Sequence, residues 1–444
     1  MRELKQDWRD IFGSFRVAFD VWKLIFAFAG VVIMGLALWG LAQIPTEANG
    51  DTIKGMAGWL IPAIVAGILL LGLFGKFAQS ETGLSASKVL MLVAAAVLLA
   101  GLIALCLFTE TANKWGDEAG IAFILLMIWA YFGGAITRIA AVEIANDDRI
   151  GLGEAGRFAC RKYGAYLGAT VLPGIAVLFL VLGCALVGLL IQVPHLNFFV
   201  ALLLFFLVPL AGFLTFLIGL GGTVGASLMY PAVSCEANDS FDAISRAYSY
   251  VFGRPWRFLF FNVAGGLYGL ACSFFVAFFV KCMLIWSFAA VDYGSDGMFN
   301  ATILPLVKGH LARLVDPIVS FVNTVGEKVS AWDPTQYLTR SFDIAKQQLG
   351  LASFGDVPAP ADAIWSDQAA AVVISLIVVV IVGLVIAYIV SLFFSIQTTI
   401  YLLLRKSVDG AEMTEVYREE DEETFAVAPE GEKKEAGSEE KKDA

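Results

Sequence analysis

The chain has 444 residues, 59% apolar and 16% charged, with a mean hydropathy of +0.77 and a net charge of −10. Soluble domains carry about 45–50% apolar and about 25% charged residues, so a water-soluble enzyme is excluded first. The acidic pI of 4.9 also excludes a nucleic-acid binder, which needs a basic face, and leaves a polytopic membrane protein.

Residues 1–23 read as an amphipathic interfacial helix. Trp8, Ile11, Phe12, Phe15, Phe19 and Trp22 recur at helical spacing with charges between them, a pattern that lies on a leaflet. Asp7, Asp10 and Asp20, with no small-residue cleavage site, set it apart from a cleavable signal. Eight apolar runs of the length needed to cross about 30 Å of hydrocarbon follow. They are Leu24–Leu41, Met56–Phe77, Lys88–Phe108, Ile121–Val142, Ala165–Ile191, Phe198–Tyr230, Phe258–Ala290 and Ala369–Leu404. Their unbroken apolarity argues for helices and against a β-barrel, whose strands alternate. The expected fold is therefore all-α, a polytopic bundle of about eight transmembrane helices, with spans one to seven in 24–290 and the last in 369–404.

The runs Phe198–Tyr230 and Phe258–Ala290 are too long for the hydrocarbon alone, so a break or an extension is expected. Pro209, Gly219, Gly221 and Gly222 mark the natural break in the first, as in carriers whose broken helices line a site. The competing reading is that these small residues allow close helix packing. Lys281 in the second falls near the outer interface, where a long cation snorkels; a transport role is the alternative. Residues 291–368 form an outer, extracytoplasmic segment. Ile303, Leu306, Val307, Leu311, Leu314, Ile318, Val322, Val325 and Val329 mark one helical face there, and Leu338, Phe342, Ala345 and Leu349 a second. A lid, a partner platform and a passive cap all fit this segment. Residues 405–444 hold 14 acids against 7 bases, cannot build a core, and read as a disordered acidic tail able to meet a basic partner.

Seventeen cations gather on one side of these spans, in the N-terminal arm and the second, fourth and sixth connections, ending at Arg405 and Lys406; the opposite short loops hold Lys54 and Lys114. The positive-inside rule places that side, and both termini, in the cytoplasm, in agreement with an even span count.

Two connections on the basic side resemble each other. One reads Ala145-Asn146-Asp147 and, after a gap, GLGEAGRFACRKYG from Gly151; the other reads Ala237-Asn238-Asp239 and then SFDAISRAYSYVFG from Ser240. Arg157 then aligns with Arg246, and Gly164 with Gly253. A Gly-Gly pair precedes each (Gly133-Gly134, Gly221-Gly222), and a G-x-x-x-G follows each (Gly164/Gly168, Gly265/Gly269). Each unit, about 121–191 and 198–290, reads as a span, a short interfacial helix and a second span, duplicated about an axis along the membrane normal. Asp239 is placed to cap the second short helix, with Asp242 at its positive end; Trp256 and Arg257 would anchor the following span at the headgroups.

The stretch DSFDAISRAYSYVFGRPWRFLFF (Asp239–Phe261) is similar to a module in several bacterial polytopic membrane families of unassigned function, and to the membrane-anchor domain of some glycerophosphodiester phosphodiesterases. RIAAVEIANDDRIGLGEAGRFACRKYG (Arg138–Gly164) resembles a segment of large bacterial inner-membrane proteins. The resemblance covers about 130–290 and implies a multi-span bundle in the bacterial inner membrane. It carries over no catalytic residue, because the phosphodiesterase domain has no counterpart in these residues.

Chemistry-bearing motifs are sparse. The two histidines, His195 and His310, lack companion ligands in sequence, and the six cysteines form no C-x-x-C pair, so neither a metal site nor a disulfide framework is expected. No P-loop, G-x-S-x-G or H-E-x-x-H occurs, and GLGGTVG (Gly219–Gly225) lies inside an apolar run rather than between a strand and a helix. No catalytic residue, cofactor or nucleic-acid partner is expected. The reading is a structural or accessory membrane protein whose partners are the bilayer and possibly a protein met through the tail or outer segment. A permease or lipid-handling channel, with a path between the repeat units, is the alternative.

Overall fold

The structure, a computed structural model, describes residues 7–42, 110–192, 206–311 and 364–418, with Phe198 and Arg313. The expected spans Met56–Phe77 and Lys88–Phe108, the turn holding His195, most of the outer segment and the tail from residue 419 lie outside the described residues. Within them the chain is all-helical, with no strand.

A 3-10 turn, Trp8–Gly13, leads into α1 (Ser14–Ala18) and then α2 (Val21–Ala42). α3 (Glu110–Asn146), the short α4 (Leu152–Arg161) and α5 (Tyr163–Ile191) follow. α6 (Leu207–Glu236), the short α7 (Ser240–Gly253) and α8 (Pro255–Gly294) repeat that order, and α9 (Trp365–Asp409) closes the bundle. Six helices are long and apolar enough to cross a membrane: α2, α3, α5, α6, α8 and α9. They coincide with six of the eight expected spans.

The N-terminal arm departs from a single amphipathic helix. It divides at Gly13, and its inward residues are Ile11, Ser14, Val17 and Ala18, while Trp8, Phe12, Phe19 and Trp22 remain exposed. The arm therefore docks on the bundle and turns its aromatics outward. Ser391 donates to the Ala18 carbonyl at 2.9 Å, Ser14 and Thr399 hydroxyls meet at 3.2 Å, and Tyr268 donates to the Phe12 carbonyl at 2.8 Å.

Within the described residues, from Leu207 on, the long sixth run does not break. α6 continues unbroken through Gly219, Gly221, Gly222 and Gly225, with Pro209 in its first turn, where the missing N–H has no helical partner to lose. Excess length is instead carried as extension. α8 has 40 residues and α9 has 45, about 60 and 68 Å at about 1.5 Å per residue, well beyond the hydrocarbon.

Both units end their first long helix on a left-handed residue, Asp147 (φ 56) and Ala237 (φ 54), whose N–H groups close onto the Glu143 and Val233 carbonyls. Each corner then opens into a short helix. Asp239 does stand at the N-cap of α7, but it is exposed and its carboxylate makes no capping bond. The paired glycines also serve different contacts. A Cβ at Gly265 would lie 2.7 Å from Ile396 of α9, whereas one at Gly164 would meet nothing.

The core sits at one end. Buried side chains concentrate in the second half of α3, in α4, at the start of α5, in the last turns of α6, in α7 and between Ala387 and Leu404 of α9. The other halves expose apolar side chains such as Phe213, Phe216, Phe274, Phe278, Leu376 and Ile377, as a lipid-facing surface does. α9 runs through the middle, packed on α1, α2, α3, α6 and α8. A second, small cluster lies at the far end, where Leu306, Val307 and Leu311 bury against Ala371 of α9. The protein's own last helix thus covers the start of the outer segment's first apolar face.

Candidate functional site at the basic end

The packed end coincides with the cations, so polar groups must be satisfied inside an apolar core. α9 does this locally: Ser395, Thr398 and Thr399 donate to carbonyls four residues back, at 2.8, 2.7 and 2.9 Å. The long side chains are satisfied across the fold.

Arg138 of α3 is 3% exposed. Its Nη1 donates to the Ser234 carbonyl and its Nη2 to the Tyr417 carbonyl, both at 2.8 Å. The guanidinium lies 4.3 Å over the Phe158 ring and 5.8 Å from that of Tyr417, a cation–π setting made by two neighbouring rings. Beside it the Tyr166 hydroxyl is 2.8 Å from Ser234 Oγ, and its ring fills the space above Gly134, where a Cβ would stand 2.6 Å away.

Glu236, the last residue of α6, is the second hub. It accepts from Tyr401 at 2.7 Å, Asn238 at 2.7 Å, Arg246 at 2.8 Å and Arg405 at 3.2 Å. Asp409 in turn accepts from the Tyr250 hydroxyl and lies 3.6 Å from Arg246. Burial first, and then the Asp409 carboxylate, push the Tyr250 phenol above its ordinary value.

A third group ties the arm to the first corner. Lys23 is fully buried and bonds Glu143 at 2.5 Å. Asp20 accepts from the Trp22 amide at 2.9 Å, capping α2, and faces the exposed Arg149 at 3.6 Å.

Of the candidate site residues named from sequence, only Arg246 belongs to these networks, together with Arg138, Glu143, Asp20 and Arg405, which the sequence marks only as charges near span ends. Arg157, Trp256 and Arg257 are exposed on the rim, Trp256 at 81%. Pro209 is exposed in the first turn of α6, and Lys281 is half-buried on α8. Gly221 and Gly222 are packing positions: Tyr248 of α7 lies over the first, and Pro173 of α5 is 2.8 Å from where a Cβ of the second would be; Gly219 has only Val177 within 4.0 Å. The functional groups sequence reasoning missed are Glu236, Tyr166, Ser234, Tyr401 and residues 410–418. A charged residue immediately before Ala237-Asn238-Asp239 was the available signal for the first.

Among the described residues no cluster of three His, Cys, Asp or Glu could hold a metal ion. The buried carboxylates Glu143 and Glu236 are committed to cations and hydroxyls, so they act as structural acceptors here. A small apolar recess with room for about 20 Å³ lies between α2, α3 and α9, lined by Gly30, Trp129, Phe132, Gly133, Val390 and Phe394 among others. Comparison with protein-family models, with curated proteins and with solved structures finds no match. The functional reading therefore rests on this geometry.

Proposed function

We propose that the chain is a structural or accessory protein of the bacterial inner membrane, without intrinsic catalysis, crossing it eight times with both termini in the cytoplasm. One observation supports it most: the seam where the two proposed repeat units meet is filled, with Pro173 against Gly222 and Ser240 against Gly168. A hydrophilic path needs water-lined space at that seam, and close packing of glycine against side-chain atoms is what a rigid scaffold uses instead. The basic end offers such a scaffold's working face, since both terminal segments and both corner helices converge on it. Its partners in this reading are the bilayer and a protein met through the acidic tail or the outer segment.

A lipid-handling channel is the second reading, and the apolar recess between α2, α3 and α9 is its support. Extraction in mild detergent with native sizing, followed by reconstitution in vesicles, separates the two. An accessory subunit migrates in an assembly larger than its 47.8 kDa and passes neither solute nor fluorescent lipid. A lone chain that speeds passage of either overturns the proposal.

A further inference from the structure

Gly410 leaves α9 in a left-handed conformation (φ 74), and the chain then crosses the basic end without a helix of its own, with only a turn at Met413–Thr414. Three main-chain groups hold it. The Tyr417 amide donates to the Cys235 carbonyl at 2.8 Å, the Tyr417 carbonyl accepts from Arg138 at 2.8 Å, and the Glu415 carbonyl accepts from Arg405 at 2.5 Å. Met413 is fully buried and Val416 8% exposed, three residues apart, while the Tyr417 ring lies beside that of Phe158, centroids 6.5 Å apart, with Arg138 against both.

The receiving groups have a physical reason to be there. The last four carbonyls of a helix lack intrahelical partners. At the end of α6, Val233 is closed by the Ala237 amide, Ser234 by Arg138 and Cys235 by the incoming Tyr417 amide. Main-chain bonds that give affinity, with side-chain anchors that give specificity, are how proteins bind short peptides. Packing of a chain end needs no such set, and here it is supplied by three helices that are far apart in sequence.

We propose that the basic end is a peptide-binding seat, closed in cis by Gly410–Arg418. It accepts a peptide that makes one turn, as residues 412–416 do, and whose apolar residue is followed three and four positions later by an apolar and an aromatic side chain. The seat is a property of the bundle's end whichever role the body plays. A second chain bearing that pattern competes with the cis segment and must overcome its tethered, high local concentration.

The test uses the whole chain with a protease site inserted between Asp409 and Gly410, cut after folding in detergent. The released fragment is expected to stay bound through gel filtration. Excess synthetic peptide of residues 410–418 should displace it, and the same peptide with Met413→Ala and Tyr417→Ala should not. Fragments carrying Tyr417→Ala should leave about tenfold faster, the loss of one anchor. A wild-type fragment lost as fast as the Tyr417→Ala one, or equal displacement by both peptides, overturns the seat. Amide exchange in the uncut natural chain supplies the second measurement, free of the insertion: Tyr417 should exchange at least about tenfold more slowly than in the free peptide, and equal rates overturn the proposal.

Discussion

Replacing Gly221 by alanine tests whether the α5–α6–α7 seam is closed by contact. The added Cβ would stand 2.7 Å from Cζ and 2.8 Å from Cδ1 of Tyr248, where ordinary contacts begin near 3.4 Å. The ring cannot swing aside freely, because its hydroxyl donates to the Ile218 carbonyl at 2.6 Å. Overpacking costs about 1–3 kcal/mol, and the strained or lost hydrogen bond adds about 1 kcal/mol. Gly221→Ala should therefore destabilise by about 2–4 kcal/mol. Gly219→Ala, two residues earlier on the same helix, meets only Val177 at 4.0 Å and should be neutral or slightly stabilising. Thermal unfolding in one detergent, followed by intrinsic fluorescence, compares the two. On a Tyr248→Ala background the Gly221→Ala penalty should vanish, since the obstructing ring is gone. Equal losses at both glycines, or a penalty that survives removal of Tyr248, would refute the reasoning.

The same melt reads the charge networks. Lys23→Met strands the Glu143 carboxylate, 11% exposed, and should cost about 3–5 kcal/mol, most of it recovered when Glu143→Leu is added. Glu236→Gln leaves Arg405, 12% exposed, without its buried countercharge and should cost about 2–4 kcal/mol. Arg149→Ala, by contrast, removes a cation that is 66% exposed and should shift stability by less than about 0.5 kcal/mol. A melt unchanged by Glu236→Gln, or as sensitive to Arg149→Ala as to Lys23→Met, contradicts the assignment of these groups.

Spans were legible because a membrane helix writes its length directly into apolar composition; α2, α3, α5, α6, α8 and α9 all fall where such runs occur. The interfacial helices α4 and α7 were legible from their charges and from the glycine–proline punctuation at Gly253 and Pro255. The glycines of α6 announced close approach but not what approaches, since Tyr248 and Pro173 come from other helices. Several members of the networks were legible as charges near span ends, but their pairing was not. Arg138 meets a carbonyl 279 residues away, and Tyr401 a carboxylate 165 residues away, and no local spacing records either. Residues 405–418 were absorbed into the acidic tail because composition averages over a window. The structure instead continues α9 to Asp409 and buries Met413 and Val416 beyond it.

The central place of α9 sets an order on how the molecule can be completed. During synthesis α2, α3, α6 and α8 all enter the bilayer before the helix they pack on has left the ribosome. Their small and polar inner faces must wait, in contact with lipid or with one another, for a helix that begins only at Trp365. Final closure is then a terminal event of very long sequence separation, the kind that folds slowly. A chain halted before Trp365 would leave α2, α3, α6 and α8 without the helix they all pack against.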